Sequence, residues 1–238
     1  MPKNITSNTI SKMGPNDKLH AVIVGASGLI GEHLLQMLLA SSKYTSVTAL
    51  TRRPLNITHR KLVQVVIDFN QLNDELAKHC NKNAHQPFAE HIFCTLGSTI
   101  NKAGSKQAFY QIDHDYPLAI AKYFHQQGAS LFTFVSAIGA NENSPYFYNQ
   151  VKGEIENSLK MIAYPHLGIF RPSMLTGKRR EFRLAEQLGT VLMKALAIVI
   201  PKKYRVISAD KVATAMLKFA NQPKQGTMII ESDQLQNH

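Results

Sequence analysis

The chain has 238 residues, 44% of them apolar and 18% charged, with a formal net charge of +11. These values exclude a disordered or fibrous chain, and two cysteines, Cys80 and Cys94, are too few and too far apart for a disulfide framework or a CxxC pair. No window reaches the ~18 apolar residues of a membrane span, and residues 1–18 lack the apolar core of a secretory signal.

The expectation is therefore a cytoplasmic protein without a transmembrane segment, with 1–18 a flexible polar tail and 19–238 a single domain. From residue 19 onward, strand-like runs at 19–24, 46–50, 62–67, 91–95, 131–135 and 167–170 alternate with amphipathic stretches such as 29–40, 116–127 and 147–162. That alternation predicts βαβ units and a parallel sheet. The nearly all-apolar strands suit a sheet covered on both faces.

The first strand runs into Gly25-Ala26-Ser27-Gly28-Leu29-Ile30-Gly31, and a helix opens near Leu29. In this frame Gly25 permits a tight turn, Gly28 lets the backbone approach a pyrophosphate, and Gly31 permits close helix–strand packing. Free N–H groups at the helix start attract the phosphates. The second strand ends Thr51-Arg52-Arg53. An acid there would bind the ribose hydroxyls of NAD, whereas arginine accommodates the 2′-phosphate of NADP. The expected cofactor is NADP(H).

Further along, Ser136 closes an apolar strand and precedes a helix on which Tyr148 and Lys152 lie four residues apart, hence on one face. After Phe170 the rhythm changes. A basic segment, a mainly apolar run at 188–200, a strand-like 204–207, a helix-like 211–219 and a strand-like 227–231 predict a small C-terminal cap, contributed by 171–238 on the substrate side. The fold class expected is α/β, a Rossmann-type doubly wound parallel sheet with that cap.

Glycine motif, Ser136 and the Tyr148/Lys152 pair stand in the order and spacing of the short-chain dehydrogenase/reductase superfamily, which the chain resembles. The segments Cys94–Thr99, Ile112–Pro117, Gln150–Glu154 and Arg171-Pro172-Ser173 are similar to its atypical, extended-type branch, the Tat-interacting oxidoreductase-like group. The resemblance implies that Gly25, Ser27, Gly28, Leu29 and Ile30 hold the pyrophosphate and that Arg52 and Arg53 meet the 2′-phosphate. It implies that Asp68 and Phe69 lie near the adenine, Leu96, Gly97 and Ser98 along the cofactor, and Pro172 and Ser173 near the nicotinamide. Ser136, Tyr148 and Lys152 would be catalytic. Many members carry an active-site asparagine where this chain has Asp113, which puts the usual proton relay in doubt.

The implied chemistry is reduction of a small carbonyl or oxidation of its alcohol. Ser136 would hydrogen-bond the substrate oxygen and Tyr148 would donate the proton, while Lys152 would ease its loss and bind the nicotinamide ribose. The alternative is an NADP(H)-binding regulatory or interaction protein with a vestigial site. Sugar-nucleotide epimerisation would need a larger C-terminal domain. The ten histidines form no HxH or HExxH pattern, so no metal is expected, and a polar or capping role is expected of His114. The basic groups Arg60/Lys61, Lys178/Arg179/Arg180/Arg183 and Lys202/Lys203/Arg205 interleave at most one aromatic residue each, Phe182 and Tyr204, too few for a stacking platform. They read as a solvated face, with no nucleic-acid partner expected. A monomer or homodimer is expected.

Overall fold

The computed structural model describes residues 19–80, 89–176 and 201–238. The tail 1–18, the basic group 178–183 and the apolar run 188–200 lie outside the described residues. Among the described residues, seven strands form one parallel sheet in the order β3-β2-β1-β4-β5-β6-β9. These are β1 (Leu19–Val24), β2 (Tyr44–Thr51), β3 (Leu62–Val66), β4 (His91–Cys94), β5 (Leu131–Val135), β6 (His166–Arg171) and β9 (Gly226–Glu231). The helices are α1 (Leu29–Ala40), α2 (Leu72–His79), α3 (Ile100–Ala103), α4 (Lys106–Tyr110), α5 (Tyr116–Gln126), α6 (Phe147–Ile162), α7 (Ala209–Asn221) and α8 (Ser232–Leu235). Strands β7 (Leu175–Thr176) and β8 (Ile207–Ser208) pair separately.

Strand periodicity builds the core on both faces. Along β1, Leu19, Ala21 and Ile23 face α1 and α7, whose Leu34, Leu38, Val212 and Met216 complete that side. Val22 and Val24 face the other way, toward Leu76 of α2, Ile120 and Phe124 of α5, and Ile155 of α6. Order reverses between β1 and β4, the place where open α/β sheets leave a crevice at the strands' carboxyl ends. Register aligns those ends: Val24 pairs with both Leu50 and Cys94, so the loops after β1, β2 and β4 converge.

The cap expected over 171–238 needs correction. Residues 209–231 are core: β9 extends the main sheet beside β6, and α7 covers α1 with Val212, Ala213, Met216 and Ala220, all at 0% exposure. An amphipathic helix with so wide an apolar face is stable only when buried. The strand expected at 204–207 is instead a 3₁₀ turn at Lys202–Tyr204 followed by the short β8.

Between α4 and α5 the chain forms a π turn, Gln111–Asp115, without leaving helical backbone angles. Asp113 lies within that turn at 0% exposure.

Candidate nucleotide and catalytic site

The turn after β1 is shaped for close approach. Gly25 has φ +86°, and a Cβ there would sit 2.8 Å from the Thr95 backbone and hydroxyl. A Cβ on Gly31 would lie 2.1 Å from the Gly25 carbonyl oxygen. The Gly28 N–H donates to that carbonyl at 2.9 Å and closes the turn. Gly28 is also the N-cap of α1, and no side chain caps the helix. The first amides of α1 thus face the crevice with the positive end of the helix dipole.

A cleft of about 540 Å³ opens over this turn, within the range of small-molecule sites. Of the residues expected to bind cofactor, Gly25, Ser27, Gly28, Arg52, Phe69, Leu96, Gly97 and Ser98 line it. Ile30 is buried and Leu29 packs against the α1/α7 core, so these two offer the cleft backbone amides only. Exposed Arg53 is not among the lining residues, and neither is Asp68, whose carboxylate accepts the Asn70 N–H at 2.9 Å. Pro172 and Ser173 are also outside it. The Pro172 carbonyl accepts the Ile138 N–H, and the Ser173 hydroxyl donates to the Arg205 carbonyl.

The sequence reading missed Thr51, Thr95, Lys102, Ile112 and Tyr116, which also line the cleft. Thr51 had a signal available, as a polar residue at the cleft end of an apolar strand. Its Oγ1 is buried without a hydrogen-bond partner among the described residues. An unsatisfied hydroxyl beside a glycine cradle and an arginine fits a group bearing ribose and phosphate oxygens. Tyr116 meets Phe69 at a tilt, with ring centroids 5.4 Å apart, forming one wall.

Behind Gly97 lies the ionic centre. Lys152 Nζ is 2.8 Å from Asp113 Oδ1, with side-chain exposures of 3% and 0%. A Cβ on Gly97 would stand 3.5 Å from that carboxylate oxygen and 3.9 Å from the ammonium. Asp113 Oδ2 accepts the Ser98 N–H at 2.8 Å. Burial pulls the Lys152 ammonium down, but Asp113, then Tyr148 and Cys94, outweigh it, and the net direction is up. Tyr148, one turn earlier on α6, is half-buried with its ring 5.5 Å from Phe109.

The Ser136 hydroxyl has a partner within the protein. It donates to Glu156 Oε1 at 2.5 Å, and Glu156 is 1% exposed. Arg171 grips the same carboxylate through Nε at 2.9 Å and Nη2 at 2.6 Å, and reaches Glu231 at 2.9 Å. The hydroxyl thus joins a buried ionic network. His114 bonds Asp115 at 2.8 Å and meets Ser158 at 3.4 Å, a polar structural role.

The NAD(P)H-binding family matches residues 25–166. Rat HTATIP2 is 34% identical over 211 residues, covering 87% of this chain and 83% of that protein. The FMP52 protein of Candida glabrata, described as mitochondrial, is 36% identical over 164 residues, covering 69% and 67%. Among solved structures, the Bordetella bronchiseptica enzyme WbmH in complex with NAD+ gives a TM-score of 0.66 at 13% identity, covering 91% of this chain and 76% of that one. UDP-glucose 4-epimerase from Thermotoga maritima gives 0.65 at 17%, covering 90% and 77%. At such identities these two share the fold alone. By sequence and fold together, the chain belongs to the NAD(P)H-binding Rossmann family, in the short-chain dehydrogenase/reductase-like branch with HTATIP2 and FMP52.

Proposed function

We propose that this protein is an NADP(H)-dependent oxidoreductase that reduces a small carbonyl compound, or oxidises the corresponding alcohol, with Tyr148 as proton donor. The observation that carries the reading is the buried Lys152 ammonium behind Gly97, at the wall of the nucleotide cleft, with Tyr148 one turn away on the same helix face. Arg52 at the mouth, with no acid at the end of β2, supports NADP(H) over NAD(H).

When bound, NADPH supplies the hydride. The residues of the chain supply the rest. As the carbonyl carbon is reduced its oxygen gains negative charge, and the phenolic proton of Tyr148 moves to that oxygen. Lys152 stabilises the charge left on the phenol and offers donors to the ribose hydroxyls of the cofactor. The first amides of α1 and Ser27 hold the pyrophosphate, and Thr51 and Arg52 hold the adenosine ribose and its phosphate. Ser136 stays with Glu156.

A second reading is a cofactor-binding regulatory protein without turnover, in which Ser136 serves only its contact with Glu156. The two separate in one experiment. NADPH binding is measured by calorimetry, and NADPH oxidation is followed by absorbance across a panel of aldehydes, ketones and quinones. Turnover of any panel member supports the oxidoreductase. Tight binding with no turnover across the panel replaces it with the binder.

A further inference from the structure

The Asp113–Lys152 pair calls for an explanation beyond the proton transfer just described. An ammonium out of water is costly unless it is paired and hydrogen-bonded, and an unpaired one gives up its proton instead. Among the described residues, the groups meeting Lys152 Nζ come from four elements. Asp113 approaches from the π turn at 2.8 Å, Tyr148 lies on its own helix, Cys94 stands at the end of β4, and β5 contributes the Val135 carbonyl at 3.4 Å and the Phe134 ring at 5.0 Å. Of these, only Asp113 carries an opposite charge at neutral pH. Its second oxygen holds the Ser98 N–H, in the loop that walls the nucleotide cleft.

We propose that Asp113 is the positioning residue of this site: it supplies the counter-charge that lets an ammonium stand in a closed pocket, and through Ser98 it ties that charge to the cofactor cleft. The inference rests on the oxidoreductase reading only in taking Lys152 as the lysine that faces cofactor and Tyr148. The π turn that carries this carboxylate is then part of the site, as such turns frequently are. The aspartate replaces the relay asparagine of the wider family with a charge, so its work differs in kind.

Asp113→Asn tests the charge while keeping an acceptor for Ser98. Its amide places a donor against the ammonium, and burial then drives Lys152 to release its proton well below its ordinary value. The unfolded chain binds more protons than the folded variant over that interval, so the variant gains stability as pH rises. In the unmutated protein Lys152 is shifted up. Its contribution is present below the unfolded value and is lost as pH rises through the folded one.

Thermal unfolding from neutral to alkaline pH, without cofactor, should show Asp113→Asn lower in Tm by on the order of 10 °C at neutral pH. The gap should narrow as pH approaches about 10. Asp113→Asn with Lys152→Met removes the stranded charge and should recover much of the neutral-pH loss, which covers the case of a single variant too unstable to purify. A gap independent of pH, or a double variant no more stable than the single, overturns the inference. Neither readout needs turnover, so it stands or falls separately from the proposed reaction.

Discussion

Arg171 closes both oxygens of the buried Glu156 carboxylate, through Nε at 2.9 Å and Nη2 at 2.6 Å, and Ser136 adds its hydroxyl to the same Oε1. The pair ties the end of β6 to the middle of α6, the helix that carries Tyr148 and Lys152. Arg171→Met leaves Glu156 with one hydroxyl partner and should cost about 3–5 kcal/mol in urea unfolding. Ser136→Ala should cost about 1.5–3 kcal/mol, the worth of a hydrogen bond to a charged group, and leave NADPH affinity within about twofold. Loss of turnover by Ser136→Ala with unchanged stability would return Ser136 to the substrate.

On the proposed reading, cofactor choice would rest on Arg52 rather than on both arginines. Arg52 lines the cleft and Arg53 does not. Calorimetric titration should show NADPH preferred over NADH, with Arg52→Ala shrinking the preference by about 1–3 kcal/mol and Arg53→Ala by much less. Equal binding of the two nucleotides by the unmutated protein would contradict the assignment.

Far from the cleft, at the start of β4, buried His91 shares a 2.9 Å hydrogen bond with the Tyr44 hydroxyl. Burial first, then the charges of Lys43 and His166, push His91 down from 6.5 to about 3. Between those values the unfolded chain binds the extra proton, so stability should fall as pH drops through that interval. His91→Phe should flatten this part of the Tm–pH curve. An acid limb of unchanged steepness in the variant would remove His91 as its source.

Close backbone approach makes Gly31 the least replaceable position of the turn. Gly31→Ala sets a methyl 2.1 Å from the Gly25 carbonyl oxygen, against the backbone of Gly25 and Ala26 rather than a flexible side chain. The helix start must shift, and NADPH affinity should drop at least tenfold, read by calorimetry. Affinity within a factor of two would mean that the turn tolerates displacement.

Features encoded locally were legible in the sequence. The Gly25–Gly31 turn follows a strand and opens a helix, and Arg52 ends the next strand, so neighbours alone announce both. Tyr148 and Lys152 share a helix face by spacing. Long-range pairing left no local trace. Asp113 reads as a departure from an asparagine, and only the fold brings it to Lys152. The π turn adds one residue within an otherwise helical stretch, which a 3.6-residue period cannot reveal. The orientation of Ser136 depends on Glu156 and Arg171, each from a different element. The region read as cap misled because α7 and β9 follow a change of rhythm, yet their apolar faces complete the main core.

On the proposed reading, Tyr148 donates the proton beside a cofactor held by other residues. Tyr148→Phe keeps the ring against Phe109 and removes only the hydroxyl. The decisive measurement is NADPH oxidation by this variant with a carbonyl substrate turned over by the unmutated protein, alongside its NADPH affinity. The account predicts affinity within about twofold and turnover reduced by roughly 10²–10⁴-fold. Turnover equal to that of the unmutated protein would contradict it.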